Sequence, residues 1–257
     1  MQGVHPTALV HEDARLDDGV RVGPYCVVGP RVRIGQGTVL ESHVVLEGQT
    51  TLGARNRVHP FAVLGADPQV SKRRGAFASA LHVGDDNVFR EHVTVNVGSG
   101  EGDTRIGDRN LFMAGCHVAH DVLVGSGCVV ANGVQLAGHV VVEDGVTFGG
   151  LSAVAQRLTV GVGAFVAGGA MCERDVPPFV IVQGDRARVR ALNVVGLARR
   201  GQSAESIARM KKVFRALFVA RAEPSRVLEE LCGDDDDARL MVRRFVEARR
   251  GRAPVQR

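Results

Sequence analysis

The chain has 257 residues, of which 45% are apolar and 32 are Gly, and its formal net charge is +4 at neutral pH. This length fits one large domain or a domain with an appendage, and the single Tyr and the lack of Trp predict a core of small and branched side chains. Because no stretch approaches the ~20 apolar residues that span a bilayer, and no signal-peptide pattern begins the chain, we expect a soluble, cytoplasmic protein without a membrane span.

A six-residue repeat of branched apolar residues dominates the first two thirds of the chain. Every sixth residue is Val, Ile, Leu or Phe over the stretches 4–64, 83–95 and 106–166. This period matches neither the 3.6 residues of a helix nor the alternation of a plain strand. It is typical of a parallel β-helix, in which three hexads form one triangular coil and the coils stack about 4.8 Å apart.

The five Cys residues fit this repeat better than a redox role. They are odd in number and scattered, without a CxxC pair, so we expect neither a disulfide framework nor a Cys-type zinc site. Cys26, Cys116 and Cys128 occupy the fifth position of their hexads, where the other residues are small or β-branched. We predict that these three thiols fill the core of the prism.

Two segments lose the repeat, residues 66–82 and residues 97–105. Repeat proteins place such insertions on the outside of the solenoid, often at the binding face, although a tolerated surface insertion is the alternative. The first segment carries Lys72, Arg73 and Arg74, a positive cluster suited to an anionic ligand. We therefore predict a β-helix over residues 1–185 with two external loops.

The pattern changes towards the C-terminus. The hexads stop near Cys172, and beyond Ser203 apolar residues recur at helical spacing, so residues 186–257 are predicted to form a small helical domain. This segment carries 18 Lys and Arg residues against nine acidic ones, a net charge of +9. It would attract an acidic protein or a phosphate, unless it is only a solvated helix surface. Nucleic-acid binding is not expected, because no recognition motif is present.

The repeat also places polar side chains on the prism. Asn96, His120, His139 and Gln156 fall in hexads that share one face on consecutive coils, which predicts a polar column. Histidine titrates near neutrality and suits a general base acting on a hydroxyl group. A carboxylate next to His120 in the chain, Asp121, would fix its tautomer, provided that a turn brings the two together. No Ser or Cys nucleophile is well placed, which favours direct transfer over a covalent intermediate.

A metal site is the rival interpretation of the histidines. His117, His120 and His139 would supply three imidazole ligands for zinc, within one chain or across a subunit interface. The γ-class carbonic anhydrases combine a prism of this kind with three His ligands. The spacing here, H-x-x-H, differs from their H-x-x-x-x-H, and a shared fold alone does not decide between the two.

Several stretches resemble the UDP-N-acetylglucosamine acyltransferases: HPTALV (5–10), VGPYCVVGPRVRIGQGTVLESHVVL (22–46), HVAHDVLVG (117–125), LAGHVVVED (136–144), DVPPFVIVQG (175–184) and LARRG (197–201). The resemblance implies an all-β, left-handed parallel β-helix with a C-terminal α-helical domain, although the general crossover rule favours the right hand. It also implies transfer of a 3-hydroxyacyl chain from acyl carrier protein to the 3-hydroxyl of UDP-N-acetylglucosamine, the first step of lipid A biosynthesis.

Further properties come with the resemblance. The family is a homotrimer with its site between adjacent prisms, which suits heterologous contacts closed by threefold symmetry. No metal or organic cofactor is implied beyond the phosphopantetheine arm of acyl carrier protein. The basic C-terminal segment then becomes a docking surface for that acidic carrier.

The resemblance assigns roles by position. It makes His120 the general base, Asp121 its helper and the Gly138 N–H the donor to the oxyanion. His139 would assist the sugar, and Gly168 would set the length of the acyl chain. The other implied substrate-binding residues are Lys72, His117, Gln156, Asn193, Arg199 and Arg200.

Three positions depart from the family pattern around the sugar. Val70 replaces an Asp, Asn96 replaces a His and Ala155 replaces a His, whereas the base, its Asp and the oxyanion Gly are kept. Losing partners of a sugar hydroxyl costs about 1–3 kcal/mol each. Two alternatives follow: the acceptor is another UDP-amino-sugar, such as a 3-amino analogue, or the chain is a paralogue that binds without turnover.

Overall fold

A triangular prism of short parallel strands makes up most of the protein. The structure, a computed structural model, describes residues 3–70 and 79–250. The predicted cluster of Lys72, Arg73 and Arg74 lies outside these residues. Most strands are two residues long and recur every six residues, because each hexad spends its other residues on a turn.

The strands form three sheets, which we call faces 1, 2 and 3. Face 1 contains Leu9–Val10, Val27–Val28, Val45–Leu46, Val63–Ala66, Thr94–Asn96, His117–Val118, Gln135–Leu136, Ala153–Val154 and Met171–Cys172. Face 2 contains Arg15–Leu16, Arg33–Ile34, Gln49–Leu52, Ala80–Val83, Thr104–Ile106, Leu123–Val124, Val141–Val142 and Thr159–Val160. Face 3 contains Arg21–Val22, Val39–Leu40, Arg57–Val58, Val88–Phe89, Leu111–Phe112, Val129–Val130, Thr147–Phe148, Phe165–Val166, Val180–Gln183 and Arg188–Leu192.

The chain visits face 1, then face 2, then face 3, and starts the next coil. On face 1, Val95 pairs with Val118, Val118 with Leu136 and Leu136 with Val154. The residues that follow these strands lie at the corner between faces 1 and 2, which we call corner 1–2; corners 2–3 and 3–1 are defined in the same way. All strand pairs are parallel except the last, the hairpin Val180–Gln183 with Arg188–Leu192.

The inside of the prism is closely filled, as the repeat predicts. The branched residue of each hexad stacks on its equivalent in the next coil, and the rings of Phe89 and Phe112 lie parallel with centroids 5.0 Å apart. Cys26, Cys116 and Cys128 are fully buried free thiols, and burial raises the pKa of Cys128 to about 11. Their predicted place in the core is confirmed, and such thiols are inert because they stay protonated.

A ladder of buried amides lines the inside of corner 2–3. Asn56 Oδ1 accepts from the backbone N–H and from Nδ2 of Asn87, at 2.9 and 3.0 Å. Asn87 Oδ1 accepts from the Asn110 N–H, and Asn110 Oδ1 from the Cys128 N–H. The Nδ2 groups donate to carbonyls of the neighbouring coil, such as Gly107 for Asn87. The ladder therefore ties successive coils together on either side of the second insertion.

The corners require an unusual backbone conformation. At corner 1–2, Asp121, His139 and Arg157 have φ of 59°, 60° and 61°, in the left-handed region that glycine occupies most easily. At corner 2–3 of the same coils Gly fills the corresponding step, as at Gly127 and Gly145. A non-glycine residue in this conformation costs about 1 kcal/mol of backbone energy relative to glycine.

The C-terminal segment begins with a strand rather than a helix. Arg188–Leu192 pairs antiparallel with Val180–Gln183 and continues face 3, so part of the segment predicted as a helical domain belongs to the prism. The six-residue repeat could not predict this strand, because the strand lies beyond the last hexad. The first helix, α1 (Val194–Arg199), follows directly.

Three more helices complete the domain. Ser203 caps α2 (Ala204–Phe214) by accepting from the Ser206 N–H, and a π-helical turn, Arg215–Val219, extends it. Then come α3 (Pro224–Leu231) and α4 (Asp236–Arg250). Arg244 of α4 pairs with Glu143 of corner 2–3, which attaches the domain to the prism. None of the helices in the described residues has the length and apolarity to cross a membrane.

Candidate active site

His120 and Asp121 form a buried pair at corner 1–2. Nδ1 of His120 lies 2.7 Å from Oδ2 of Asp121, and the two side chains are only 11% and 5% exposed. Consecutive side chains on a strand point to opposite faces, but the left-handed conformation of Asp121 turns its carboxylate back towards the imidazole. The turn that the sequence interpretation required is therefore present. The carboxylate fixes which ring nitrogen carries the proton and leaves Nε2 for chemistry.

Asp121 has a second set of donors from the insertion loop. Ser99 Oγ donates to Oδ2 at 2.6 Å and the Ser99 N–H donates to Oδ1 at 3.1 Å. Burial alone would raise the pKa of Asp121, but the hydrogen bonds from Ser99 and His120 and the nearby His139 outweigh it and hold that pKa below its ordinary value. Asp121 is therefore a carboxylate at neutral pH.

His139 stands one coil above the pair. Its ring meets the His120 ring edge-on with centroids 5.2 Å apart, and its Nε2 lies 3.6 Å from Oδ2 of Asp121. Arg157 and Glu101 approach the same nitrogen at 3.4 and 3.7 Å and contact each other at 3.3 Å. Charged groups thus surround one side of His139, while the other side of the corner opens to the cavity.

Gly138 completes the centre. It lies one coil above His120, and its N–H has no hydrogen-bond partner among the described residues. A backbone donor left free beside an imidazole is suited to an oxygen that gains negative charge. The pair of His120 and Gly138 therefore offers a base and an oxyanion donor within one corner.

A cavity of about 420 Å³ opens beside this centre on face 1. Its floor consists of small and apolar side chains from consecutive coils, including Ala119, Ala137, Ala153, Ala155 and Met171. Its polar lining includes His117, His120, Gln135, Gln156 and Glu173, and Gln69 reaches it from the first insertion. A cavity with an apolar floor and few polar groups is typical of a small-molecule site.

His117 lines the cavity as a neutral side chain. Its Nδ1 lies 2.8 Å from Thr94 Oγ1, and burial, together with the nearby His120, lowers its pKa. This histidine is thus suited to hydrogen bonding with a ligand rather than to carrying a charge. It contributes to the cavity wall but not to the hydrogen-bonded centre.

The predicted polar column is not a single stack, and this expectation is wrong in its register. His120 aligns with Gly138 and Gln156, whereas His139 aligns with Asp121 and Arg157. The histidines occupy the third and fourth positions of their hexads, which differ by one residue along the turn. Asn96 aligns with Ala119 and is buried, with its Nδ2 donating to the Asp67 carbonyl at 3.0 Å.

The remaining predicted residues lie at other corners of the prism. Asn193 caps α1 and its Nδ2 donates to the carbonyl of Gly163 at corner 2–3, at 2.9 Å. Arg199 is exposed at the end of α1, and the Arg200 guanidinium lies over the Phe179 ring at 5.8 Å. Gly168 is exposed at corner 3–1. Within one chain these residues therefore do not meet the His120 centre, and Lys72 lies outside the described residues.

The cluster of potential metal ligands in the structure differs from the predicted set of three histidines. His120, Asp121 and His139 bring one ligand atom each within 4.8 Å of one another, whereas His117 is not part of this group. In this arrangement Oδ2 of Asp121 already accepts from both Ser99 and His120. The three imidazoles proposed as zinc ligands are thus not gathered within one chain.

Sequence reasoning missed Ser99, Glu101 and Arg157. The first two lie in the segment that lost the repeat, where no period fixes the direction of a side chain. The sequence did contain a signal for Arg157: it lies 18 residues, or one coil, after His139 and therefore directly above it. Of the three departures, Ala155 lies in the cavity lining and is exposed, and Val70 is half-buried at the end of the first described segment.

Comparisons with known proteins agree with this architecture. Residues 175–253 match the family model for domain 2 of UDP-N-acetylglucosamine O-acyltransferase, and residues 13–48 and 103–138 match the bacterial transferase hexapeptide model. The acyl-[acyl-carrier-protein]–UDP-N-acetylglucosamine O-acyltransferase of Myxococcus xanthus is 49% identical over 220 residues, which covers 85% of each chain. The protein of the same name from Saccharophagus degradans is 39% identical over the full length of both chains.

A solved structure extends the likeness to the fold. The UDP-N-acetylglucosamine acyltransferase of Campylobacter jejuni superimposes with a TM-score of 0.89 at 34% identity, covering 99% of this chain and all of that one. The predicted left-handed parallel β-helix with C-terminal helices is confirmed.

Proposed function

The chain belongs to the acyl-[acyl-carrier-protein]–UDP-N-acetylglucosamine O-acyltransferase family, and we propose that its His120 acts as the general base of acyl transfer. The protein is an acyltransferase, as predicted. Its reaction moves a 3-hydroxyacyl group from acyl carrier protein to the 3-hydroxyl of UDP-N-acetylglucosamine, the first step of lipid A biosynthesis. The observation that carries the role of His120 is its hydrogen bond to a buried carboxylate at the edge of the cavity.

The chemistry follows from this geometry. The Asp121 carboxylate accepts from Nδ1, so Nε2 of His120 is free to remove the proton of the acceptor hydroxyl. The resulting oxygen attacks the thioester carbon, and the negative charge that develops on the carbonyl oxygen is stabilised by the Gly138 N–H. When the intermediate collapses, the C–S bond breaks and the phosphopantetheine thiolate leaves with the proton held by His120. No covalent enzyme intermediate is needed.

The cavity lining holds the acceptor sugar in this proposal. His139 and Gln156 lie at the same corner as the base, and His117 faces the cavity as a neutral hydrogen-bonding group. Ala155 leaves open space where the family pattern has a His, which makes room for a different substituent on the sugar. A 3-amino analogue of the acceptor is therefore included in the test below.

The assembly that we propose is a homotrimer. The implied ligand-binding residues lie at three different corners: the His120 centre at corner 1–2, Asn193 and Arg199 beside corner 2–3, and Gly168 at corner 3–1. A threefold arrangement of parallel prisms brings different corners of neighbouring copies together. The complete site would then use the base of one copy and the arginines of the next.

Two further parts of the proposal rest on charge and chemistry. The basic helical segment, with its net charge of +9 over residues 186–257, would steer the acidic carrier protein to the site. The residues of the centre supply both base and oxyanion donor, so no metal or organic cofactor is assigned to the reaction. The cytoplasm is the compartment that we propose for it.

The test is acyl transfer by the purified protein. The donors are 3-hydroxyacyl carrier proteins of several chain lengths, and the acceptors are UDP-N-acetylglucosamine and its 3-amino analogue. We expect turnover that is lost in His120→Ala and kept in His11→Ala, a matched change at an exposed histidine of the first coil. Turnover confined to the amine would assign the departures to acceptor choice. An active His120→Ala variant would exclude the proposed base, and zinc bound in stoichiometric amount and needed for turnover would favour the metalloenzyme.

A further inference from the structure

The second insertion returns to the base that the proposed function uses. Its described loop leaves face 1 after Asn96 and rejoins face 2 at Thr104, and at its turn Ser99 contacts Asp121, 22 residues further along the chain. Two donors of Ser99 reach the same carboxylate, Oγ at 2.6 Å from Oδ2 and the N–H at 3.1 Å from Oδ1. These contacts with a buried carboxylate distinguish the loop from an insertion that is only tolerated on the surface.

The loop is held in this position by its own contacts. A Cβ at Gly98 would lie 1.9 Å from the Gly102 carbonyl, so the two arms of the loop touch where only glycine fits. The Gly100 N–H donates to Ser79 Oγ at 2.9 Å. Thr104 Oγ1 accepts from the Asp121 N–H at 2.9 Å, which fixes the carboxylate's own backbone to the end of the loop. The hydroxyl of Ser99 is thus presented by a braced loop.

The donors leave the carboxylate one orientation. Oδ2 accepts from Ser99 Oγ at 2.6 Å and from His120 Nδ1 at 2.7 Å, so the same oxygen is held by both. The alternative partner of Oδ2, His139 Nε2, lies at 3.6 Å. Without the Ser99 hydroxyl, rotation of the carboxylate towards His139 would take the oxygen away from His120. A hydrogen bond to an ionised acceptor is strong enough to decide between these orientations.

We propose that Ser99 is a positioning residue, which holds Asp121 in the orientation that aligns and activates His120. The assignment of a catalytic consequence rests on the proposed function, since it presupposes that His120 is the base. Ser99 itself does not touch substrate in this proposal. It gives the second insertion a purpose, which is to deliver a hydroxyl to the carboxylate behind the base.

The experiment is a double-mutant cycle between Ser99 and Asp121. We expect Ser99→Ala to lower kcat on the order of tenfold with an unchanged KM for the sugar nucleotide, and Ser99→Thr to restore most of the rate because it keeps the hydroxyl. In the Asp121→Asn background, Ser99→Ala should have no further effect, because both changes act through one carboxylate. Thr7→Ala is the matched control, since that hydroxyl also accepts from a backbone N–H, that of Tyr25, in the first coil and five coils away from His120.

A readout without turnover separates this inference from the proposed function. The low-field proton resonance of His120 Nδ1–H, assigned by its loss in His120→Ala, reports the hydrogen bond to Asp121. We expect it in the wild type and in Ser99→Thr but broadened or absent in Ser99→Ala. An unchanged resonance, or equal effects of Ser99→Ala with and without Asp121, would overturn the inference. A wild-type protein that shows the resonance but transfers no acyl group would overturn the proposed function alone.

Discussion

Gly138 lies one coil above His120 at a distance that leaves no room for a side chain. A Cβ atom added at Gly138 would be 2.6 Å from Cε1 and 2.7 Å from Nε2 of the His120 ring. Real Cβ atoms do not approach other atoms so closely, so any other residue at this position must displace the imidazole. Glycine is needed here for the space that it leaves beside the proposed base, in addition to its free N–H.

We therefore predict that Gly138→Ala nearly abolishes acyl transfer while the protein stays folded. The backbone of Gly138 is not in the left-handed region, so alanine suits its conformation, and the cost falls on the ring of His120. Displacement of a catalytic group by about 1 Å lowers the rate on the order of 100-fold. The measurement is kcat together with the melting temperature.

The matched control for this change is Gly29→Ala. Gly29 also follows a strand of face 1, but its added Cβ would meet the neighbouring backbone at an ordinary 3.5 Å. We expect unchanged activity from it. A fully active Gly138→Ala variant would mean that His120 does not work in the position described above.

Asp121 should make the stability of the protein depend on pH in acid. Its pKa is held below that of the unfolded chain, so the folded state favours the carboxylate. The stabilisation is present above the unfolded value of about 3.9 and is lost as the pH falls through the lower folded value. The free energy of unfolding of wild type minus that of Asp121→Asn should therefore shrink between about pH 5 and pH 3.

This difference is measured by chemical denaturation of both proteins at several pH values. Taking the difference removes the contribution of the other carboxylates, which titrate in both. A difference that stays constant over this range would show that Asp121 gains nothing from its ionised form in the folded state. A difference that grows in acid would reverse the sign of the shift.

The buried amide ladder should carry a measurable share of the stability. Asn87→Ala removes the acceptor of the Asn110 N–H and the donor to the Gly107 carbonyl, and leaves Asn56 Oδ1 with one donor fewer. An unsatisfied buried polar group costs about 1–3 kcal/mol. We predict a loss of roughly 2–4 kcal/mol of unfolding free energy. Asn132→Ala, at an exposed corner residue, is the control and should change it by less than about 0.5 kcal/mol.

The fold of the prism could be predicted from the repeat, because a six-residue period determines which residue of each hexad points inwards. Val118, Leu136 and Val154 stack as the period requires, and the Cys residues at the fifth position are buried. The period ends before the hairpin at Arg188–Leu192, and with it the means to place a strand there. The period predicts the strands and the face on which each strand lies, since both depend on the position of a residue within its hexad.

The same period predicted the candidate site only in part. His120 and His139 lie on consecutive coils, as expected, but they lie at corner 1–2, where a one-residue offset places His139 above Asp121 and Gly138 above His120. Position within the turn decides this, and the hydrophobic period does not report it. Ser99 and Glu101 reach the site through a loop whose path depends on long-range contacts, such as Gly100 with Ser79, which no local pattern encodes.

The proposed trimer predicts that two inactive variants restore each other. His120→Ala removes the proposed base at corner 1–2, and Arg199→Glu reverses a charge beside corner 2–3. If each site takes its base from one copy and its arginine from the next, a mixed trimer always contains one site with both residues intact. Random mixing of equal amounts then gives about a quarter of the wild-type sites, because about three quarters of the trimers are mixed and each has one working site of three.

The measurement is acyl transfer by the co-expressed variants, compared with each variant alone and with a mixture of separately assembled trimers, which should stay inactive. Co-expressed variants no more active than either parent would place the whole site within one chain, and Arg199 outside it.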